Sequence, residues 1–93
     1  MKQILIEKYI EPSGVIKSGD YVIQYWLDRN YNLHSFMGQP ARIVYEKSKV
    51  EAKFWYKKST EHRDRGLPAE IYYKNEKETS QWFYKNGKFI KSS

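Results

Sequence analysis

The chain has no cysteine, so neither a disulfide framework nor a thiolate metal site can hold its fold together. A reducing cytoplasm is therefore the expected compartment. Histidine is almost as scarce. Only His34 and His62 occur, and a zinc centre would need both, together with carboxylates such as Glu61 or Asp64. The two histidines stand at equivalent positions of a repeat described below, so they are expected to be apart and structural; no metal and no cofactor is expected. Long apolar runs are missing too. Lys2, Glu7 and Lys8 interrupt the first ten residues, which argues against a signal peptide or a membrane span there. Low-complexity segments and linkers are absent as well. Acidic residues are in deficit: 17 Lys and Arg against 11 Asp and Glu leave a net charge of +6. That balance favours acidic partners, either nucleic acid or an acidic protein surface.

The usual catalytic signatures are also missing. No glycine-rich dinucleotide loop, P-loop or Gly-x-Ser-x-Gly element is present, which removes the common nucleotide and hydrolase motifs. His62-Arg63-Asp64 matches the first three residues of a kinase catalytic loop. That loop needs an asparagine five residues after the aspartate, where this chain has Ala69, and a kinase needs a far longer chain. The plainer reading has His62 and Arg63 bonding backbone groups of the loop between repeat units. Asp20 and Asp28 have no spacing that supports an acid/base pair and read as solvated carboxylates. No enzymatic activity is expected.

What the chain does have is aromatic rings: nine Tyr, four Phe and three Trp, 17% of 93 residues. Such rings favour strands. A single domain over residues 1–93 is expected, and a chain this short hides only about two-thirds of its unfolded surface, for a stability of about 5 to 10 kcal/mol. Large side chains must supply most of that burial.

The main signal is an internal repeat. His34 and His62, Gly38 and Gly66, Pro40 and Pro68, Ala41 and Ala69, Ile43 and Ile71, and Tyr45 and Tyr73 all recur at one offset, 62 − 34 = 28. The same shift carries Phe54 to Trp82, Trp55 to Phe83 and Tyr56 to Tyr84. A degenerate first unit places Pro12, Val15, Ile16, Trp26 and Leu27 opposite Pro40, Ile43, Val44, Phe54 and Trp55. The units are thus about 12–37, 40–65 and 68–91. Alternation over 41–45 and 69–73 reads as strand, with returning strands at 50–56 and 79–84 and polar breaks at 46–49 and 74–77. Asn86-Gly87 is a strong hairpin turn leading to a short strand at 88–91, and Gly38-Gln39-Pro40 and Gly66-Leu67-Pro68 mark turns between units. Apolar stretches at 3–10 and 20–27 read as further strands, with turns at 12–14 and 17–19. The expected fold is mostly β: an antiparallel β-hairpin repeat meander of about six to eight strands, as a single twisted sheet or an open sandwich, with no helix.

Alternation also sorts the side chains. Ala41, Ile43, Tyr45, Ala69, Ile71 and Tyr73, joined by Ala52, Phe54, Tyr56, Trp82 and Tyr84, form the expected core face. The opposite face then carries Arg42, Val44, Lys53, Trp55, Tyr72, Lys74 and Phe83, with Tyr25 and Leu27. Rings interleaved with basic groups suit a protein interface or stacking on single-stranded nucleic acid. The same face would equally be hidden by the N-terminal strands or by a second copy in a homodimer. Lysines at the hairpin tips read as solubilising, edge-protecting charges. The candidate binding residues are Trp55, Tyr72, Phe83, Lys53, Arg42, Arg63 and Arg65, the last two because guanidinium groups beside a rigid loop suit bidentate contacts to carboxylate or phosphate.

Trp82-Phe83-Tyr84-Lys85-Asn86-Gly87-Lys88 resembles the aromatic-turn motif of MORN-type repeats. The block His62-Arg63-Asp64-Arg65-Gly66-Leu67-Pro68-Ala69-Glu70-Ile71-Tyr72-Tyr73 is similar to one in small MORN-like repeat proteins of bacteriophages and bacteria, some of which are described as antitoxins. Here Leu67 is one inserted residue, and a weaker copy runs from His34 to Tyr45. The resemblance covers residues 24–90. It implies a β-hairpin array used for binding, with no catalytic residue attached. The units are longer than a standard MORN repeat and the His-Gly-x-Gly element is missing, so lipid binding does not carry over. The leading expectation is a non-enzymatic protein-binding inhibitor from a phage or mobile element, such as an antitoxin, an immunity protein or an anti-CRISPR, acting on a host or toxin protein with an acidic surface. A basic nucleic-acid-binding module and a phage structural protein are the alternatives.

Overall fold

The computed structural model describes residues 11–93, so the strand expected over 3–10 lies outside the described residues. Nine strands run in chain order: β1 (Gly14–Ser18), β2 (Tyr21–Tyr25), β3 (Arg42–Glu46), β4 (Lys49–Phe54), β5 (Tyr56–Lys57), β6 (Thr60–Glu61), β7 (Glu70–Lys74), β8 (Lys77–Lys85) and β9 (Lys88–Ser92). Seven of them form one sheet in the order β1-β2-β3-β4-β7-β8-β9, and β5 and β6 make a separate two-stranded hairpin. Every pairing is antiparallel. No helix occurs among the described residues, and hence none long and apolar enough to cross a membrane. The protein is a meander of hairpins.

Four of the five described hairpins close through two-residue turns with left-handed backbone at both positions, and the β1–β2 turn has it at Gly19 alone. Lys47-Ser48, Lys58-Ser59, Asn75-Glu76 and Asn86-Gly87 all have positive φ at both positions, from 48° to 81°. This is the type I′ geometry, whose twist matches that of the flanking strands. Only Gly87 is free of a Cβ there. A bulge follows the same pattern: the register shifts between Val44 and Tyr45 in the β3–β4 pair and between Tyr72 and Tyr73 in the β7–β8 pair. Arg42 opposes Phe54, and 28 positions on Glu70 opposes Trp82. Ile43 opposite Lys53 likewise recurs as Ile71 opposite Gln81.

The β1–β2 hairpin has no such bulge. One residue fewer is needed to reach the same place, and this moves Trp26. Its N–H bonds the Ala41 carbonyl at 2.8 Å, as the N–H of Trp55 bonds that of Ala69 at 2.8 Å. Trp26 therefore stands where Trp55 stands, 29 residues on, and not opposite Phe54 as the constant offset implied. Further boundaries differ from expectation: the strand expected over 20–27 ends at Tyr25, and the turn expected at 17–19 is strand through Ser18. Residues 14–18, bracketed by turn signals, form β1, so the turn expected at 12–14 gives way to strand at Gly14. The strand expected over 50–56 breaks at Trp55, because the chain turns there to bond the next unit and Tyr56 begins the β5–β6 hairpin.

Burial is concentrated where the units join. Ala41 and Ala69 are completely buried, and Trp26, Trp55 and His62 nearly so. Trp55, Ala69 and Ile71 form a cluster against which Tyr73 and Tyr84 pack. The β5–β6 hairpin also brings Glu61, opposite Tyr56, against Glu70. Tyr72 donates its hydroxyl to Glu70 Oε1 at 2.8 Å. Burial, and then the adjoining Glu70 carboxyl, push Glu61 up to about 8.

Two expectations follow from these features. Ser48→Gly and Glu76→Gly each relieve a left-handed residue that carries a Cβ, and each should stabilise the fold by about 1 kcal/mol in urea denaturation. For Glu61, the folded state prefers the protonated carboxyl, whereas the unfolded chain ionises it at an ordinary value near 4.5. Its contribution is therefore fully present below that value and lost as pH rises through about 8. Thermal midpoints should decline over this range in the native sequence and decline less in Glu61→Gln; equal slopes would contradict the assignment.

Candidate binding face

Directly opposed residues of an antiparallel pair project to the same side, so the register sorts the side chains into two faces. One continuous row is Tyr25, Arg42, Phe54, Glu70, Trp82 and Ser92. The row behind it is Gln24, Ile43, Lys53, Ile71 and Gln81. Side-chain contacts agree with this division. On the first face the Arg42 guanidinium sits 4.9 Å from the centre of the Phe54 ring, and Phe54 meets Tyr72 edge-on at 5.9 Å. Phe89 packs on Trp82 at 5.6 Å and on Tyr84 at 5.7 Å. This face also holds Glu46, Glu70 and, with Glu46 beside it, Glu51, whose carboxyl is raised by burial and by that neighbour. Its charge is mixed.

The second face is basic. Register places Lys17, Lys53, Lys85, Lys88 and Lys91 there, with Glu78 as the one carboxylate contributed by the described strands. Three of its rings carry a cation directly above them. The Lys53 ammonium lies 5.4 Å from the Tyr73 ring centre, the Lys91 ammonium 4.8 Å from that of Phe83, and the Arg63 guanidinium 3.8 Å from Trp55. Arg63 is fixed further by donating to the Pro68 carbonyl at 3.1 Å, and burial lowers its affinity for the proton from the usual arginine range.

The seven residues singled out from the sequence are therefore divided. Lys53, Phe83 and Trp55 with Arg63 belong to the basic face, Arg42 and Tyr72 to the other, and Arg65 sits exposed in the loop before Gly66. The expected core face divides in the same way: Ile43 and Ile71 lie on the basic side, whereas Ala52, Phe54 and Trp82 lie with Arg42 and Tyr72. Alternation within each strand is correct; the relation between strands depends on register, which alternation does not contain. Trp55 is an anchor, not an open ring. It is 5% exposed, and its Nε1–H donates to the Gly38 carbonyl at 3.0 Å.

Lys91 and Lys17 were missed by sequence reasoning. The Asn86-Gly87 turn was a usable signal for Lys91, since a two-residue turn followed by one bulged position sets Lys91 opposite Phe83. Lys17 sat in a segment read as a turn.

The two histidines are structural latches. His62 Nδ1 accepts the Asn86 N–H at 2.9 Å, while Nε2 faces Asp64 Oδ1 at 2.7 Å. That bond holds the Asp64 carboxyl below its ordinary range. His34 does the corresponding job one unit earlier, its Nδ1 accepting the Lys58 N–H at 3.2 Å. Among the described residues no group of three His, Asp or Glu side chains converges as a metal site. No protein-family model matches the chain, and neither a curated protein nor a solved structure matches it.

Proposed function

We propose that the protein is a non-enzymatic binding module whose basic face docks on an acidic surface of a partner protein and occludes it. The observation that carries this reading is the set of cations seated on the rings of one face: Lys53 on Tyr73, Lys91 on Phe83 and Arg63 on Trp55. A ring beneath a cation restrains it at little cost in desolvation. Less side-chain freedom then remains to be lost on docking, and only that surplus appears as affinity. The charge of this face supplies steering toward an acidic partner. In its narrower form the reading makes the protein an inhibitor encoded by a phage or mobile element, such as an antitoxin, an immunity protein or an anti-CRISPR. The resemblance of the His62–Tyr73 and Trp82–Lys88 blocks to small MORN-like repeat proteins supports that form.

Segregation of basic charge on one face also favours a second reading, a nucleic-acid-binding module. Sequence-tolerant binding of single strands relies on open ring faces for base stacking. Here the Trp55, Tyr73 and Phe83 rings are covered by the chain's own cations, which leaves phosphate contact as the main source of affinity.

Affinity purification from the native host after nuclease treatment, read by mass spectrometry, separates the two. A stoichiometric protein should be recovered with the native chain and lost with the double variant Lys53→Glu/Lys91→Glu, while Arg42→Glu on the other face retains it. Absence of any such protein, together with DNA or RNA shifts at about 50 mM salt that vanish as salt is raised, would establish the second reading in its place.

A further inference from the structure

At the edge of the basic face, the loops that join consecutive units border an open cavity of about 490 Å3. One wall comes from the loop that carries His34 and Met37, the other from the loop that carries Arg63, Arg65 and Leu67, with Lys57 on the β5–β6 hairpin between them. Its volume falls in the range of sites that take small organic ligands.

The charge of the lining is unbalanced. Lys57, Arg63 and Arg65 contribute three cations, and among the described residues none of them forms a salt bridge. The carboxylate in the lining, Asp64, takes a hydrogen bond from His62 at 2.7 Å and keeps its charge near Lys57, so these four groups carry a net +2. Arg63 is fixed by the Trp55 ring and by the Pro68 carbonyl, with Tyr73 and Glu78 of the basic face also acting on its charge, so it stands where the cavity meets that face. His34 takes the Lys58 N–H on Nδ1, which puts the ring proton on Nε2 and makes that nitrogen a donor. At the rim, Met37 and Leu67 are 67% and 44% exposed, two large apolar side chains beside one opening.

We propose that this cavity binds a small phosphomonoester with a ring-containing body, its phosphate meeting Lys57, Arg63 and Arg65 and its body resting on Met37 and Leu67. Three cations less the Asp64 carboxylate leave +2, more than a single carboxylate would neutralise, whereas a phosphate dianion offers the matching charge and three acceptor oxygens. A bare phosphate ion would leave most of the space empty and the two apolar side chains uncovered. The site shares Arg63 and Trp55 with the basic face, so a partner docked there would compete for Arg63; Lys57 and Arg65 belong to the cavity alone and separate the two roles.

The test is a titration of the nitrogen-15-labelled protein with AMP, UMP, adenosine and inorganic phosphate, following the Trp55 indole N–H and the loop amides. Both nucleotides should give saturable shifts confined to residues around the cavity. Inorganic phosphate should bind about tenfold more weakly, and adenosine should give no saturation. Lys57→Ala and Arg65→Ala, both at exposed positions, should each weaken nucleotide binding about tenfold, while Lys47→Ala at a hairpin tip leaves it unchanged. The proposal is overturned if neither nucleotide saturates, if phosphate binds as tightly as the nucleotides, or if the two variants bind like the native chain.

Discussion

The bond from the Trp55 N–H to the Ala69 carbonyl, repeated as that from Trp26 to Ala41, is the join on which the architecture depends. The alanines are saturated on both sides: their own N–H groups bond the carbonyls of Trp82 and Phe54 respectively. With no exposed surface at either alanine, a larger side chain would have to push a strand or a tryptophan aside. Each tryptophan marks the place where the chain leaves one hairpin and is secured to the next. The loop beyond it, with its histidine latch, is positioned by the same join.

A single sheet of seven strands cannot bury both of its faces, and the described residues bury neither completely. The tryptophans and alanines at the unit junctions account for much of what is hidden, together with Ala52 and Ile71. Several other rings are half-covered by neighbouring long side chains or rings. On one face these neighbours are Arg42 and other rings; on the other they are lysines and Arg63. The apolar stems of those cations supply burial that a second layer would otherwise provide, while their charged ends remain at the surface. Structure and recognition therefore draw on the same side chains, and the charge character of each face is a by-product of how its rings are covered.

Much of the fold was legible because its determinants are local. Alternation located the strands around Ile43 and Ile71, and Asn86-Gly87 located the last hairpin. Arg63 bonds the backbone of the loop between units, as its place before the turn suggests, whereas His62 reaches past that loop to the Asn86 N–H of the β8–β9 turn. The rest depends on register, which is set by turn geometry and bulges acting between strands. One residue at the Val44/Tyr45 bulge decides which side faces which, and its absence from the first hairpin moves Trp26 out of step with Phe54. The mixed membership of the faces has the same origin. Arg42 shares a surface with Phe54 because they are opposed, a fact that neither segment holds alone.

Among the described residues, each strand of the large sheet bonds only to the strands before and after it, apart from the step over the short β5–β6 hairpin. Such an order lets the molecule lengthen without being rebuilt. Another hairpin spliced in at a tryptophan–alanine join would find its partners already in place, and shortening by one unit would leave the remaining ones intact. Duplication of a single coding segment is thus enough to change the reach of the protein while keeping the chemistry of every existing surface.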